Sequence, residues 1–282
     1  FLINARLSDR SFRRYQRVSQ LFLRLAGKFT RIYPASHLDA RRFLELGCTT
    51  DQILQTGSIK FDVAVGERLS DEARGRLRDS LGFGSTSNQS PFILVGASTW
   101  PGEEATLMEA QSHLREQGID CRLLLIPRHA ERGDRIAQIL KKQPLDWHQR
   151  SENERLDRDI QIYLADTTGE MPHLMQAGHI AFIGKSLPPN EGGQTPIEAA
   201  GLGLPILMGP NMTNFQNVAQ SLMQCGAAQT VDGSDALKAA LLDLYGAPEA
   251  RDAMQRNGLE WHSANRGSSQ RIADDLRKHL ST

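Results

Sequence analysis

The sequence has few cysteines, no long apolar run and no net charge. Its three cysteines, Cys48, Cys121 and Cys225, are far apart and set among apolar residues, which favours a reducing compartment over a disulfide framework. They also lack the close spacing of a metal site, so no metal is expected. No apolar run approaches the roughly 20 residues that a membrane-spanning helix needs, and no signal peptide is visible. These absences exclude a membrane-spanning or disulfide-stapled fold for this stretch of chain.

What is present fits a globular enzyme. A chain of 282 residues, 39% of them hydrophobic, can bury one large core or two smaller ones. The chain opens at Phe1 without a methionine, and Phe1-Leu2-Ile3-Asn4 reads as the end of a strand. We therefore expect a fragment that holds one complete domain and part of another, with a boundary within residues 58–66.

The zero net charge hides an asymmetry. Residues 1–42 hold ten arginines and lysines against Asp9 and Asp39, so the remainder is net acidic. Leu21, Phe22, Leu23 and Leu25 lie within this basic segment. It could meet anionic lipid head groups or a phosphorylated acceptor, or it could be an ordinary amphipathic helix with a solvated face. The sequence leaves both interpretations open.

Strands and helices alternate along the chain. Apolar runs predict strands at residues 31–33, 53–56, 92–95, 122–126, 160–164, 180–183, 205–208 and 227–231. Helices are predicted at residues 11–26, 36–46 and 214–224, and near Pro101, Ala130, Pro172, Pro196 and Asp235. The polar stretch 84–90 reads as a linker or loop. This alternation predicts an α/β fold whose parallel sheet is covered by helices on both faces.

In such a sheet, ligands bind outside the carboxyl ends of the strands. Loops that follow strands therefore gather polar side chains at one edge, although they are far apart in sequence. Hydroxyl, guanidinium, imidazole, carboxylate and bare amide groups together suit a nucleotide and its phosphate. The loops are Gly96-Ala97-Ser98-Thr99, Pro127-Arg128-His129, Asp166-Thr167-Thr168-Gly169-Glu170, Gly184 to Glu198, and Gly209-Pro210-Asn211.

The most informative loop is Gly184-Lys185-Ser186 followed by Glu191-Gly192-Gly193-Gln194-Thr195-Pro196. A glycine-rich turn from a strand into a helix leaves N–H groups unpaired at the positive end of the helix dipole, which predicts an anion site. The stretch is not a Walker phosphate loop, because His179 stands where that motif requires glycine. No Gly-x-Gly-x-x-Gly opens the first strand-to-helix turn, so a dinucleotide cofactor is not expected.

Several of these residues have two interpretations. Arg128 could hold phosphate bidentately or pair with a nearby glutamate, and His129 could protonate a leaving group or make a structural hydrogen bond. Ser98 or Thr99 could contact a ligand or cap a helix, and the two roles can coexist.

The two glutamates at predicted helix starts are equally ambiguous. Glu198 could accept two ribose hydroxyls, or it could complete a capping box with Thr195. Glu170 follows a glycine at another predicted helix start and has the same two interpretations.

Short motifs in a fixed order resemble the family of 3-deoxy-D-manno-octulosonic acid (Kdo) transferases, which build the inner core of lipopolysaccharide on lipid A precursors. The motifs keep the family's order across nearly the whole chain, which makes the set more specific than any one of them. They are Asn4-Ala5-Arg6-Leu7-Ser8, Thr56-Gly57-Ser58-Ile59-Lys60-Phe61-Asp62, Ala97-Ser98-Thr99, Ile126-Pro127-Arg128-His129, Asp166-Thr167-Thr168-Gly169-Glu170-Met171, Phe182-Ile183-Gly184-Lys185-Ser186-Leu187, Gly192 to Glu198, and Gly209-Pro210 with Asn214-Phe215.

The resemblance implies a GT-B glycosyltransferase fold, with one complete Rossmann-like donor-binding domain and the C-terminal part of a second Rossmann-like domain. The implied domains are residues 1–60, a remnant of the N-terminal acceptor domain, residues 61–262, the nucleotide-sugar donor domain, and residues 263–282, a tail helix returning toward the N-terminal domain.

The resemblance also implies inverting transfer of Kdo from CMP-Kdo to a sugar hydroxyl, with no metal or other cofactor. Arg128 and the amides near Gly192 and Gly193 would hold the CMP phosphate, and Glu198 the ribose. Ser98 and the loop from Thr168 to Met171 would complete the pocket. The full predicted binding set is Ser98, Thr99, Arg128, His129, Thr168, Gly169, Glu170, Met171, Ser186, Gly192, Gly193, Gln194, Thr195 and Glu198.

The implied partners are the nucleotide-sugar donor, a lipid A precursor and a membrane surface, but no nucleic acid. The implied location is the cytoplasmic face of the bacterial inner membrane, reached through the basic segment and an anchor expected upstream. The family's general base is also expected upstream, so no catalytic residue is assigned. The chain alone is expected to bind donor but transfer poorly or not at all.

Two departures from the family pattern leave residues without a role. The family more often has Gly-Gly-His-Asn-Pro where this chain has Gly192-Gly193-Gln194-Thr195-Pro196, and Gly-Gly-Ser where it has Gly184-Lys185-Ser186. The roles of Gln194 and Lys185 are therefore open. The alternatives are a UDP-sugar-dependent GT-B transferase or epimerase, and a catalytically silent nucleotide-binding module.

Overall fold

The computed structural model describes residues 1–62, 65–84, 90–152, 156 and 158–280. The chain forms two compact units, one of Phe1–Ala64 with His262–Thr282 and one of Val65–Trp261. The sequence-based boundaries at 60 and 262 and the roles assigned to the segments remain predictions.

The elements alternate along most of the chain. The strands are β1 (Leu2–Ala5), β2 (Ile32–Pro34), β3 (Phe92–Thr99), β4 (Cys121–Pro127), β5 (Trp147–Gln149), β6 (Ile162–Leu164), β7 (Ile180–Ile183), β8 (Ile206–Met208) and β9 (Ala228–Thr230). The helices are α1 (Asp9–Arg17), α2 (Ser19–Ala26), α3 (His37–Glu45), α4 (Asp71–Ser80), α5 (Glu103–Glu116), α6 (Gly133–Leu140), α7 (Met171–Leu174), α8 (Ile197–Gly201), α9 (Gln216–Gln224), α10 (Ser234–Gly246), α11 (Pro248–Asn265) and α12 (Ser268–Leu280). Short 3-10 helices occur at Thr50–Gln52, Ile59–Asp62, Ala130–Arg132, Met175–Ala177 and Thr213–Phe215.

In the first unit, β1 pairs in parallel with β2 over a small apolar core that includes Ile32 and Phe43. Helix α12 joins this unit through Asp275, which accepts hydrogen bonds from Arg31 Nε at 3.1 Å and from the Tyr33 hydroxyl at 3.0 Å. The Asp62 carboxylate accepts from backbone N–H groups at the start of α12. The unit is therefore built from both ends of the chain.

Two predictions in the first unit are wrong in detail. The single helix predicted over 11–26 is two helices, because Val18 leaves the helical conformation at φ −123° and ψ 35°. The strand predicted over 53–56 is only an isolated bridge between Ile53 and Ile32, since a 3-10 helix occupies the residues just before it.

The second unit is a seven-stranded parallel sheet in the order β5-β6-β4-β3-β7-β8-β9. Strands β4 and β7 are buried along their whole length, as expected for strands covered on both faces. Leu107 of α5, Ile136 of α6 and Leu241 of α10 belong to one apolar cluster with the sheet residues Leu123 and Phe182. The sequence-based prediction of an α/β fold with a parallel sheet is confirmed.

Helices α4 and α11 and the edge strand β5 were not predicted. Helix α4 carries so many charged residues that no apolar stripe is evident, although Ser70 caps it by accepting from the Ala73 N–H at 3.2 Å. The edge strand β5 is only three residues long, too short for a periodic signal. Residues 85–89 of the predicted linker lie outside the described residues.

The order of the strands fixes where a ligand can bind. From β3 the chain first moves to β4 and β6 on one side, and later returns to place β7 on the other side. The crevice at the carboxyl ends of β3 and β7 is therefore the topological switch point of the sheet, where ligands of open α/β folds bind.

Candidate functional site

The loops after β3, β7 and β8 lie against one another at the switch point. A Cβ atom on Gly184 would lie 2.2 Å from the Ser98 carbonyl oxygen, and one on Gly209 would lie 2.1 Å from the Ser186 carbonyl oxygen. Only glycine permits these backbone approaches. The predicted convergence of these three loops is thus a feature of the fold.

A buried carboxylate joins two of these loops. Glu103, 1% exposed at the start of α5, accepts N–H groups of Lys185 at 2.8 Å, Ser186 at 2.8 Å, Leu187 at 3.1 Å and Trp100 at 2.9 Å. Burial raises the pKa of Glu103, and these four N–H donors oppose the rise. The amides of residues 185–187 therefore hold an internal anion. Sequence analysis missed this role, because an acidic residue in a first helical turn needs no further explanation.

The glycine-rich turn uses its own amides as well. The Gly193 N–H donates to the Lys185 carbonyl at 2.9 Å, and the Gln194 N–H to the Gly184 carbonyl at 3.0 Å. Gly192 and Gly193 have φ values of 107° and 71°, which glycine adopts without strain. The N–H of Gly193, expected to hold phosphate, is thus engaged within the turn in this structure. Gln194 has a structural role through its backbone.

Glu198 presents an unpaired carboxylate oxygen. Helix α8 begins after Pro196 without a side-chain cap, and the Thr195 hydroxyl accepts from the Ile197 N–H at 3.3 Å, so the capping-box alternative does not apply. Oε2 of Glu198 is buried and has no hydrogen-bond partner among the described residues. Burial raises the pKa of Glu198, while its own N–H and the Thr195 hydroxyl oppose the rise. A hydroxyl donor of a ligand would satisfy this oxygen.

Arg128 and His129 follow β4 at the same edge. The Arg128 N–H donates to the Thr99 carbonyl at 3.1 Å, while its side chain is exposed and, within the described part of the chain, makes no ion pair. The alternative of pairing with a nearby glutamate is therefore not observed. His129 packs edge-on against Trp100 with ring centroids 5.5 Å apart, and its Nδ1 lies 3.4 Å from the Glu131 carboxylate.

The loop after β6 contacts Ser98 through Met171, whereas Glu170 has a different partner. The Ser98 hydroxyl lies 3.3 Å from Met171 Sδ, and Thr168 and Gly169 are exposed beside it in sequence. Glu170 instead forms a two-point ion pair with Arg150, at 2.7 Å and 2.5 Å. The hydrogen bond from Arg150 lowers the pKa of Glu170, and burial opposes this effect. Glu170 thus holds the loop in place.

Two hydroxyl groups that were predicted to bind the ligand make hydrogen bonds within the protein instead. Thr99 is fully buried and donates to Glu104 Oε1 at 2.8 Å. Ser186 is fully buried, donates to the Ile183 carbonyl at 2.5 Å and accepts from the Gly209 N–H at 2.8 Å. Both side chains are therefore engaged in hydrogen bonds within the protein.

The described residues contain no cluster of histidine, cysteine, aspartate or glutamate side chains suited to a metal ion. The loops at the carboxyl edge of the sheet instead carry the exposed guanidinium of Arg128 and the Ser98 hydroxyl, which contacts the Met171 thioether. Of the predicted binding residues, Arg128 has an exposed side chain without an ion pair among the described residues, and Glu198 has a carboxylate oxygen without a hydrogen-bond partner there.

Sequence comparison identifies relatives of the chain. The family model described as 3-Deoxy-D-manno-octulosonic-acid transferase (kdotransferase) matches residues 1–63. A 3-deoxy-D-manno-octulosonic acid transferase of Haemophilus influenzae is 30% identical over 280 residues, which cover 99% of this chain and 64% of the relative. One of Bordetella pertussis is 33% identical over 285 residues, covering 99% and 63%. The chain spans just under two thirds of the length of these curated relatives.

Solved structures show the same fold. The crystal structure of the C-terminal CMP-Kdo binding domain of WaaA from Acinetobacter baumannii matches with a TM-score of 0.60 and 24% identity, over 67% of this chain and 95% of that domain. UDP-GlcNAc 2-epimerase from Neisseria meningitidis, bound to UDP-GlcNAc, matches with a TM-score of 0.54 and 17% identity, over 88% of this chain and 61% of the epimerase. These likenesses confirm the predicted GT-B fold class.

Proposed function

We propose that the chain belongs to the 3-deoxy-D-manno-octulosonic acid transferase family, two members of which are 30% and 33% identical to it over 99% of its length, and that it is the donor-binding part of a Kdo glycosyltransferase. Its donor is CMP-Kdo, and its acceptor is a sugar hydroxyl of a lipid A precursor in lipopolysaccharide biosynthesis. The transfer is inverting and uses neither a metal ion nor another cofactor.

The buried, unpaired Oε2 of Glu198 is the observation that carries the proposal. A ribose hydroxyl donates to this oxygen and removes the cost of leaving it unpaired. Ser98 and Met171, which contact each other, receive the base or the phosphate.

Arg128 supplies the positive charge that stabilises the departing phosphate in the proposed transfer. When the bond between Kdo and the CMP phosphate breaks, negative charge grows on the departing phosphate. A guanidinium that strengthens its hydrogen bonds as this charge grows stabilises the transition state more than the ground state. Arg128 has no carboxylate to release first among the described residues, so its full charge is available.

The acceptor side of the proposal rests on the first unit. Arg10, Arg13, Arg14 and Arg17 of α1 and the exposed Leu21 and Leu25 of α2 suit an anionic membrane surface that presents the lipid acceptor. No helix among the described residues is long and apolar enough to cross a membrane. We place the enzyme at the cytoplasmic face of the bacterial inner membrane.

Titration calorimetry of CMP and UDP against the 282-residue chain and Arg128→Ala tests the donor assignment. The chain is expected to bind CMP more tightly than UDP, and Arg128→Ala to weaken CMP binding about 10- to 100-fold, the worth of a lost charged hydrogen bond. Arg135→Ala removes an exposed arginine of α6 and is the matched control. Thermal melting should be the same for all three proteins.

Unchanged CMP affinity in Arg128→Ala would refute the phosphate role. Tighter binding of UDP than of CMP would instead favour the UDP-sugar alternative, and binding of neither nucleotide would refute the donor assignment.

A further inference from the structure

Lys185 adopts a backbone conformation that a side chain rarely occupies. Its φ is 60°, and among the described residues only Asn4 and Ser98 are other non-glycine residues with positive φ. Ser98 and Lys185 both belong to the loops that meet at the switch point. The resembling family more often has glycine at this position, and glycine adopts this φ without strain. Strained residues of this kind are frequent at functional sites, where the function of the side chain offsets the cost of the strain.

The surrounding structure fixes this conformation from both sides of the residue. The Lys185 N–H donates to the Glu103 carboxylate at 2.8 Å, and its carbonyl accepts from the Gly193 N–H at 2.9 Å. The backbone direction sends the side chain toward Trp100, where Nζ lies 4.3 Å from the ring centroid. The fold therefore holds the backbone of Lys185 on both sides, and the ammonium lies over the Trp100 ring.

The ammonium is not neutralised by the protein. Among the described residues, Lys185 forms no ion pair, and its polar contact is the face of Trp100. The nearby Glu103 carboxylate is already shared by four backbone N–H groups. Trp100 also packs against His129, which directly follows the exposed Arg128. Trp100 thus contacts both the Lys185 ammonium and the ring of His129.

We propose that Lys185, held over Trp100, is an anion-binding residue of the donor site that contacts a carboxylate or phosphate of the sugar nucleotide. The inference rests on the proposed donor function and adds a residue where the family pattern more often has glycine. The aromatic face orients the ammonium and excludes water from one side, and the open side receives the ligand's anionic oxygen.

Titration calorimetry with cytidine, CMP and CMP-Kdo tests the role of the charge. Lys185→Met keeps an unbranched stem against Trp100 but removes the charge, whereas Lys185→Arg retains it. Lys185→Met is expected to weaken binding of the ligand that carries the contacted anion about tenfold or more, and Lys185→Arg to remain within about threefold of the original chain. Cytidine binding should not change. Lys142→Met, at an exposed position after α6, is the control.

The pattern of losses distinguishes the sources of the anion. An equal loss for CMP and CMP-Kdo supports contact with the phosphate, and a loss for CMP-Kdo alone supports contact with the sugar carboxylate. Unchanged affinity of Lys185→Met for both ligands overturns the inference but leaves the donor function standing. Failure of the unsubstituted chain to bind CMP or CMP-Kdo overturns both.

Discussion

Glu103 shows how one buried side chain can organise a loop that is distant in sequence. Its carboxylate holds the amides of residues 185–187 and thereby sets the start of the loop that carries Lys185 and Gly193. The sequence predicted that this loop binds an anion, and the expected anion was a phosphate. In the structure a carboxylate from α5 takes the position, and the ligand contacts that we propose are those of Arg128, Lys185 and Glu198 instead.

Glu103→Gln should destabilise the protein. An amide has only one acceptor oxygen, and its NH₂ would face backbone N–H donors, so at least one buried donor is left unpaired. We expect a loss of about 1–3 kcal/mol in the free energy of unfolding and weaker CMP binding. Denaturant titration measures the first effect and calorimetry the second. Glu116→Gln, at the exposed end of the same helix, should stay within about 0.5 kcal/mol of the original chain. Equal stabilities of both variants would contradict the organising role.

Helices α1 and α2 together expose a row of arginines and two leucines. Arg10, Arg13, Arg14 and Arg17 recur at the spacing of one helix face. Their helix is followed by α2, in which Leu21 is 61% exposed and Leu25 is 58% exposed. The solvated-face alternative accounts for the arginines, but it does not account for these two leucines.

Replacement of the four α1 arginines by glutamine should weaken binding to anionic vesicles by about tenfold or more. Each basic residue near such a surface contributes about 1 kcal/mol, and the contribution falls with salt. Co-sedimentation with vesicles that contain or lack anionic lipid measures the change. The matched control replaces four exposed basic residues elsewhere, Arg135, Lys141, Lys142 and Arg256. If the original chain binds neither vesicle, or if both variants bind alike, the membrane role of α1 is refuted.

Predictability also differs between elements. Long buried strands such as β4 were found from their apolar runs, because seven consecutive buried residues leave a clear pattern. Strand β5 and the break at Val18 were not found, since three residues carry no period and the break depends on how the two helices pack.

The stability of the whole protein should depend on pH, because one histidine far from the crevice is neutral in the folded state. His179 Nδ1 accepts the Ile93 N–H at 3.0 Å, so this nitrogen carries no proton in the folded state. Burial lowers the pKa of His179 to about 3, with nearby arginines adding to the effect. The unfolded chain, with a histidine pKa of about 6.5, binds a proton that the folded chain does not. Stability is therefore complete above about pH 6.5 and falls as the pH drops toward 3.

His179→Asn should flatten this dependence. The Asn carbonyl oxygen can accept the Ile93 N–H without titrating, so the acid-induced loss should shrink by about 1.4 kcal/mol per pH unit, the contribution of one proton. Denaturant titrations between pH 4 and pH 7 measure the slope. His37→Asn, at an exposed position, is the control and should leave the slope unchanged. A slope as steep in His179→Asn as in the original chain would refute the assignment.

The sequence by itself determined the alternation of strands and helices, the fold class and the loops that meet at the carboxyl edge, because apolar periodicity and glycine are local signals. Only the tertiary structure decided which polar groups remain available. Glu103 reaches amides 82–84 residues away, while Glu198 is left with an unpaired oxygen and Arg128 with an exposed guanidinium. A residue's type states which bonds it can make, but packing between distant segments decides which of those bonds the fold has already used.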